Sequence, residues 1–181
     1  MDADRDSYAL DASYALRQNI SLYGSLGGES VESTQVGAQS NANPNTALPN
    51  WKSDHDDDFT TANVGFRWGG IAEKWGIEVD YVYAESEGEI SLSNAGRPDE
   101  YPELETELNR ARVGVTYDYS RKIRLTGGFL YEKFDSDDWS VDGVEPDTMD
   151  NVLTWGGNSP DYDVTVFSIG FTYSLDKPYE P

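Results

Sequence analysis

Apolar and polar residues alternate with a period of two along most of this chain, and a 3.6-residue helical period is hard to find. Seven segments carry the alternation. Tyr8, Leu10, Ala12, Tyr14 and Leu16 share one face of the first, and Ser7, Ala9, Asp11, Ser13 and Ala15 share the other. The second sets Ile20, Leu22, Gly24 and Leu26 against Ser21, Tyr23, Ser25 and Gly27. The third sets Ala62, Val64, Phe66 and Trp68 against Thr61, Asn63, Gly65 and Arg67. The fourth sets Trp75, Ile77, Val79, Tyr81 and Tyr83 against Gly76, Glu78, Asp80, Val82 and Ala84. In the fifth, Ala111, Val113, Val115, Tyr117 and Tyr119 oppose Arg110, Arg112, Gly114, Thr116 and Asp118. In the sixth, Ile123, Leu125, Gly127, Phe129 and Tyr131 oppose Arg124, Thr126, Gly128, Leu130 and Glu132. The last sets Phe167, Ile169, Phe171, Tyr173 and Leu175 against Val166, Ser168, Gly170, Thr172 and Ser174.

The connections alternate in length. Arg17 to Asn19, Gly69 to Lys74 and Ser120 to Lys122 are short turns, whereas 31–58, 86–107 and 135–161 are long, polar and acidic and are expected as loops. Long loops at one end and short turns at the other mark an outer-membrane barrel, with the long loops outside the cell. The fold expected is therefore all-β: an antiparallel up-and-down transmembrane barrel of about seven or eight strands over residues 1–175, followed by a tail over 176–181. A complete bacterial barrel has an even strand number of at least about 8, so either 140–157 hides a strand or the chain is the C-terminal part of a larger barrel. The start, MDADRDSYAL, has neither the basic nor the apolar region of a signal peptide, which favours the second alternative.

The two faces differ in a way that distinguishes lipid from water. One is aliphatic and aromatic; the other is rich in Gly, Ser, Ala and Thr with a few charges, which suits a polar lumen better than a surface in bulk water. The aromatics gather at two heights. Trp68, Trp75, Tyr117, Tyr119, Phe171 and Tyr173 lie by the short turns or the C-terminal end, and Tyr8, Tyr81, Tyr83, Phe129, Tyr131 and Phe167 lie toward the long segments. Two such belts are expected at the two membrane interfaces. Asp11, Arg67, Glu78, Asp80, Arg110, Arg112, Asp118, Arg124 and Glu132 are then expected on the lumen wall, paired across strands or touching an enclosed partner.

Composition narrows the function further. The formal net charge of -21 repels phosphate backbones, so nucleic acid is not an expected partner. No apolar run reaches the length of a membrane-spanning helix. Cys is absent, which excludes disulfides, thiolate metal sites and covalent haem attachment. The one His, His55, sits in the acidic run Ser53–Asp58 without a neighbouring nucleophile motif, so solvated surface is the simpler account and no catalytic residue is expected. Asp135, Asp137, Asp138 and Asp142 offer oxygens of the kind Ca²⁺ takes, but Trp139 occupies a position where an EF-hand needs a ligand. Solubilising charge is again the simpler account. One His, no Cys and two Met leave no evident haem or iron–sulfur ligand set, so the chain is expected to carry no cofactor itself.

The last strand, Ser168-Ile169-Gly170-Phe171-Thr172-Tyr173-Ser174-Leu175, resembles the C-terminal signal read by outer-membrane assembly machinery, with Ser168, Gly170, Tyr173 and Leu175 carrying the pattern. Upstream stand Tyr131-Glu132-Lys133-Phe134-Asp135-Ser136-Asp137-Asp138-Trp139, then Asp142-Gly143-Val144 and Pro146-Asp147-Thr148. Asn151-Val152-Leu153-Thr154 and Ser159-Pro160-Asp161-Tyr162-Asp163-Val164 follow. In this order the blocks resemble the C-terminus of the decahaem-associated outer-membrane proteins of the MtrB/PioB type. The resemblance implies a barrel sheathing a periplasmic multihaem c-type cytochrome, with an extracellular cytochrome or mineral beyond it and the haem carried by the partner. A small general porin or adhesin-like barrel without a cytochrome, and a soluble ligand-binding β-barrel, are the alternatives.

Overall fold

The computed structural model describes residues 2–38, 50–70, 74–94, 97–139 and 159–175. Eight strands make one antiparallel sheet: β1 (Asp2–Arg17), β2 (Ile20–Ala38), β3 (Asn50–Gly69), β4 (Trp75–Asn94), β5 (Arg97–Glu100), β6 (Leu104–Ser120), β7 (Ile123–Asp137) and β8 (Tyr162–Tyr173). Seven of them follow in chain order, β1-β2-β3-β4-β6-β7-β8, and short β5 pairs only with β4. This is the up-and-down meander that the alternation predicts. The sheet is open, with β1 and β8 each paired along one edge among the described residues. A strand within 140–157 lies outside the described residues, as does the tail 176–181; the eighth strand found here is β5.

The segments expected as long loops are in large part ladder. β2 runs on to Ala38, β3 begins at Asn50, β4 reaches Asn94 and β7 reaches Asp137, so much of 31–58 and 86–107 and the start of 135–161 is strand. β2 and β3 stay in register from Ile20↔Trp68 to Ala38↔Asn50, without interruption. The reason is that a ladder is held by backbone N–H and C=O groups, which pair whatever the side chains are. Acidic side chains remove the apolar signal from the sequence without removing the bonds. His55 is accordingly a β3 residue, with its Nε2 2.9 Å from Ser53 Oγ.

The short-turn end is knitted by backbone bonds beyond the ladders. Gly69 N–H donates to Asn19 O at 2.8 Å, Asp118 N–H to Lys74 O at 2.8 Å and Ser174 N–H to Lys122 O at 3.0 Å. Elsewhere, aromatic rings lie over glycines: a side chain at Gly65 would collide with the Tyr23 ring, and one at Gly28 with the Tyr8 ring. Each pair is directly cross-strand, so the ring covers backbone that glycine leaves bare.

Among the described residues no hydrophobic side chain is buried, and Ser53 is the one buried polar residue. Ile169 is 95% exposed and Phe167 78%. A single-layer sheet that bares so many large apolar groups is not stable in water, where each would forgo about 1.5–3 kcal/mol of burial. Its apolar face has to be covered by something other than the described residues.

Candidate functional site: a two-faced wall

Register places the predicted faces side by side across the whole sheet. One row reads Tyr14–Leu22–Phe66–Val79–Val113–Phe129–Phe167, with each residue directly opposite the next. Directly paired residues share a face, so the apolar faces of seven strands join into one surface, here the belt face.

The aromatic belts do not follow these rows. The upper belt starts at Tyr8, level with Gly28, Thr60 and Glu85. It steps down two residues to Tyr83, two more from Lys133 to Tyr131, and two more from Thr165 to Phe167. The fall is one residue per strand-to-strand step. The lower belt falls equally, from Trp68 (level with Ile77) to Trp75, and from Phe171 to Tyr173. With about 3.3 Å per residue and about 4.8 Å between strands, this slope corresponds to strands inclined by roughly 35° to the belts' normal. That is the tilt of membrane barrels. Between Trp75 and Tyr83 the band is about 26 Å along the strand and roughly 22 Å along the normal, close to the apolar height of an outer-membrane barrel.

The opposite face carries all nine predicted wall charges. Four arginines stand directly across from four carboxylates: Arg67↔Glu78, Arg112↔Asp80, Arg110↔Glu132 and Arg124↔Asp118. Arg67 donates to Glu78 Oε1 from Nε at 3.0 Å and Nη2 at 2.9 Å. Arg124 grips both oxygens of Asp118, at 2.6 and 2.8 Å. Arg110 Nε donates to Glu132 Oε2 at 2.5 Å, and Tyr162 donates to the other oxygen at 2.7 Å. Arg112 Nη2 stands 3.6 Å from Asp80 Oδ2. Asp11, the ninth, lies opposite Ser25.

The sequence reading missed one member, Tyr23. Its hydroxyl donates to Asp80 and lies 3.2 Å from Glu78, and the Arg67 guanidinium sits over its ring at 4.5 Å. It thereby ties two of the ion pairs together. The signal was an aromatic standing in the polar phase of its strand.

The remaining candidates do not converge. Asp135 and Asp137 lie on β7 and Asp138 just beyond it, and Asp142 is outside the described residues. No group of three or more metal-ligating side chains forms among the described residues. Ser168, Gly170 and Tyr173 lie on β8, with Leu175 just past it; Tyr173 and Leu175 are exposed.

A belted apolar face, a tilt near 35° and a charge-paired face define the wall of an outer-membrane β-barrel. The chain belongs to the outer membrane beta-barrel porin family MtrB/PioB, whose model matches residues 1–175. Its place is the outer membrane. Among solved structures it is similar to BauA, the ferric preacinetobactin receptor of Acinetobacter baumannii, at 13% identity and a TM-score of 0.57. That match covers 96% of this chain and 29% of the receptor. The ferric-catecholate import receptor Fiu of E. coli K12 matches at 11% identity and a TM-score of 0.44, over 93% of this chain and 32% of that one. Among curated proteins none matches. The chain thus spans about a third of the length of the receptors it resembles.

Proposed function

We propose that this chain is an arc of the sheath in a conduit that carries electrons across the outer membrane. The belt face meets lipid, the charged face lines the lumen, and the lumen holds a multihaem c-type cytochrome that enters from the periplasm. An extracellular cytochrome or mineral stands beyond it. The wall is not an enzyme; its work is to keep lipid away from the cofactor chain and hold that chain in place, leaving the redox chemistry to the partner. Long segments outside and short turns in the periplasm set the orientation, and the β8 pattern ending in Tyr173 and Leu175 serves assembly.

Family membership supports this reading, and the observation that carries it is the charged face. Four directly opposed ion pairs neutralise eight of the nine wall charges, with Asp11 standing opposite Ser25. The wall therefore presents paired groups to a large enclosed body instead of a single-sign field that selects ions. A general porin is the competing reading. The full-length protein purified gently from outer membranes should carry a haem-staining polypeptide in fixed ratio. Purification without any haem band would overturn the proposal.

A further inference from the structure

The bases of this acidic chain divide by height. Arg5, Lys52, Arg67, Arg110, Arg112, Arg124 and Lys133 each hold a carboxylate. Among the described side chains, Arg17, Lys74, Arg121 and Lys122 form no ion pair, and all four lie exposed at the short-turn end. The one carboxylate among the described residues at that end, Asp118, is already gripped by Arg124. The rim is therefore a patch of uncompensated positive charge on a chain whose formal net charge is -21.

The belts fix the height of that patch. Sloping one residue per strand, the lower belt crosses β1 at Tyr14, β4 at Trp75, β6 at Asp118 and β7 at Ile123. Lys74 and Lys122 stand one residue past it. Arg17 and Arg121 stand three residues past it, which is roughly 8 Å along the membrane normal. The headgroup layer of one leaflet is about 5–7 Å thick, so the four cations lie where lipid headgroups lie. The irregularity between Ala15 and Arg17 sets Arg17 on the belt face, in the row of Ile20 and Trp68. The β6–β7 turn closes on Ser120↔Ile123, also a belt-face pair, with Arg121 and Lys122 at its tip. Lys74, whose carbonyl accepts from Asp118 N–H, follows the lumen-side row instead. Contact with lipid therefore falls to Arg17, Arg121 and Lys122.

We infer that this rim is a binding surface for phospholipid headgroups of net negative charge. The belt rings hold the wall at the interface, and the guanidinium and ammonium groups just past them take phosphate oxygens. A protein arriving from water cannot reach the belt side of Arg17 without displacing lipid, so lipid is the occupant. Past the upper belt the same face carries Asp58, Glu87, Glu105 and Asp137, which repel such headgroups. The preference therefore belongs to one side of the membrane. It rests on the belts and the unpaired charges, whatever the lumen holds.

The test is a photoreactive benzoylphenylalanine placed in the full-length protein at Tyr119 or at Leu16, with Tyr83 of the upper belt as control. The vesicles hold equal parts of phosphatidylglycerol and phosphatidylcholine with identical acyl chains, and mass analysis of the adducts reads the lipid beside each site. A base near an anionic surface contributes about fivefold. Phosphatidylglycerol adducts should therefore outnumber phosphatidylcholine adducts by about fivefold at Tyr119 and Leu16. The excess should fall below about twofold in about 1 M salt, where the screening length drops to about 3 Å. Arg121→Gln with Lys122→Gln should bring Tyr119 to parity, and Arg17→Gln should do so at Leu16, whereas Arg17→Lys and Arg121→Lys keep the preference. At Tyr83, beside Glu85 and Glu107, no excess is expected. Parity at either rim site in the unaltered protein, an equal excess at Tyr83, a preference that survives the glutamine substitutions, or adducts with a polypeptide in place of lipid would each overturn the inference.

Discussion

Val113 and Gly114 are neighbours on β6 that the wall assigns to opposite environments, so arginine at each is a direct test of the faces. Val113 stands mid-band on the belt face, between Val79 and Phe129 in its row. Gly114 faces the other way, opposite Glu78 and Gly128, and a Cβ added there meets nothing within 4 Å. Val113→Arg puts a guanidinium at membrane depth, at a cost of about 2–4 kcal/mol. Gly114→Arg creates no collision and places its charge beside Glu78 in a hydrated lumen, so it should change stability by less than about 1 kcal/mol. The loss at Val113 corresponds to a folding equilibrium shifted by roughly 30-fold to 1,000-fold, against less than about fivefold at Gly114. Urea titration of the full-length protein in lipid vesicles, followed by Trp fluorescence and by the mobility of the unheated protein in gels, reads it. Equal losses at the two positions would refute the assignment of lipid to the belt face, and a larger loss at Gly114 would invert it.

Gly65→Leu should destabilise the barrel by about 1–3 kcal/mol, because the new side chain occupies the place of the Tyr23 ring; Tyr23→Ala in the same protein should recover part of that loss in the same titration. The Asp118–Arg124 pair is directly cross-strand and mostly buried, with side chains 22% and 21% exposed. A double-mutant cycle of Asp118→Asn and Arg124→Gln should return a coupling of about 0.5–2 kcal/mol, and a coupling of zero would mean the fork contributes nothing. Asp54 lies in the part of β3 outside the membrane band, where hydrogen bonds from Lys52 and Thr34, each at 2.6 Å, hold its carboxyl below the usual range. A lowered pKa gives stability that is complete above the ordinary carboxylate range and fades as pH falls through the lowered value. In an NMR titration Lys52→Met should therefore move the Asp54 midpoint upward; an unmoved or lowered midpoint would refute the cause given.

Period-two alternation by itself determined which residues of one strand share a face, because neighbouring Cβ atoms of an extended chain point to opposite sides. From that alone came seven strands, three short turns, the two belts and the side of all nine wall charges. Glu78 and Asp80 were legible as wall residues because they fall in the polar phase of an otherwise apolar strand. Their partners were not, since pairing Arg67 with Glu78 and Arg112 with Asp80 depends on register, which the local pattern of one strand does not contain. Tyr23 joined them only when β2 and β3 were set side by side and its ring fell across Gly65. The strands' reach into 31–58 and 86–107 also waited for the tertiary structure, because there the ladder is held by backbone bonds while the side chains are acids. Register is likewise what turns two clusters of aromatics into parallel belts sloping one residue per strand. And only register shows that the face carrying the aliphatic and aromatic side chains between the belts carries the acids Asp58, Glu87, Glu105 and Asp137 above them.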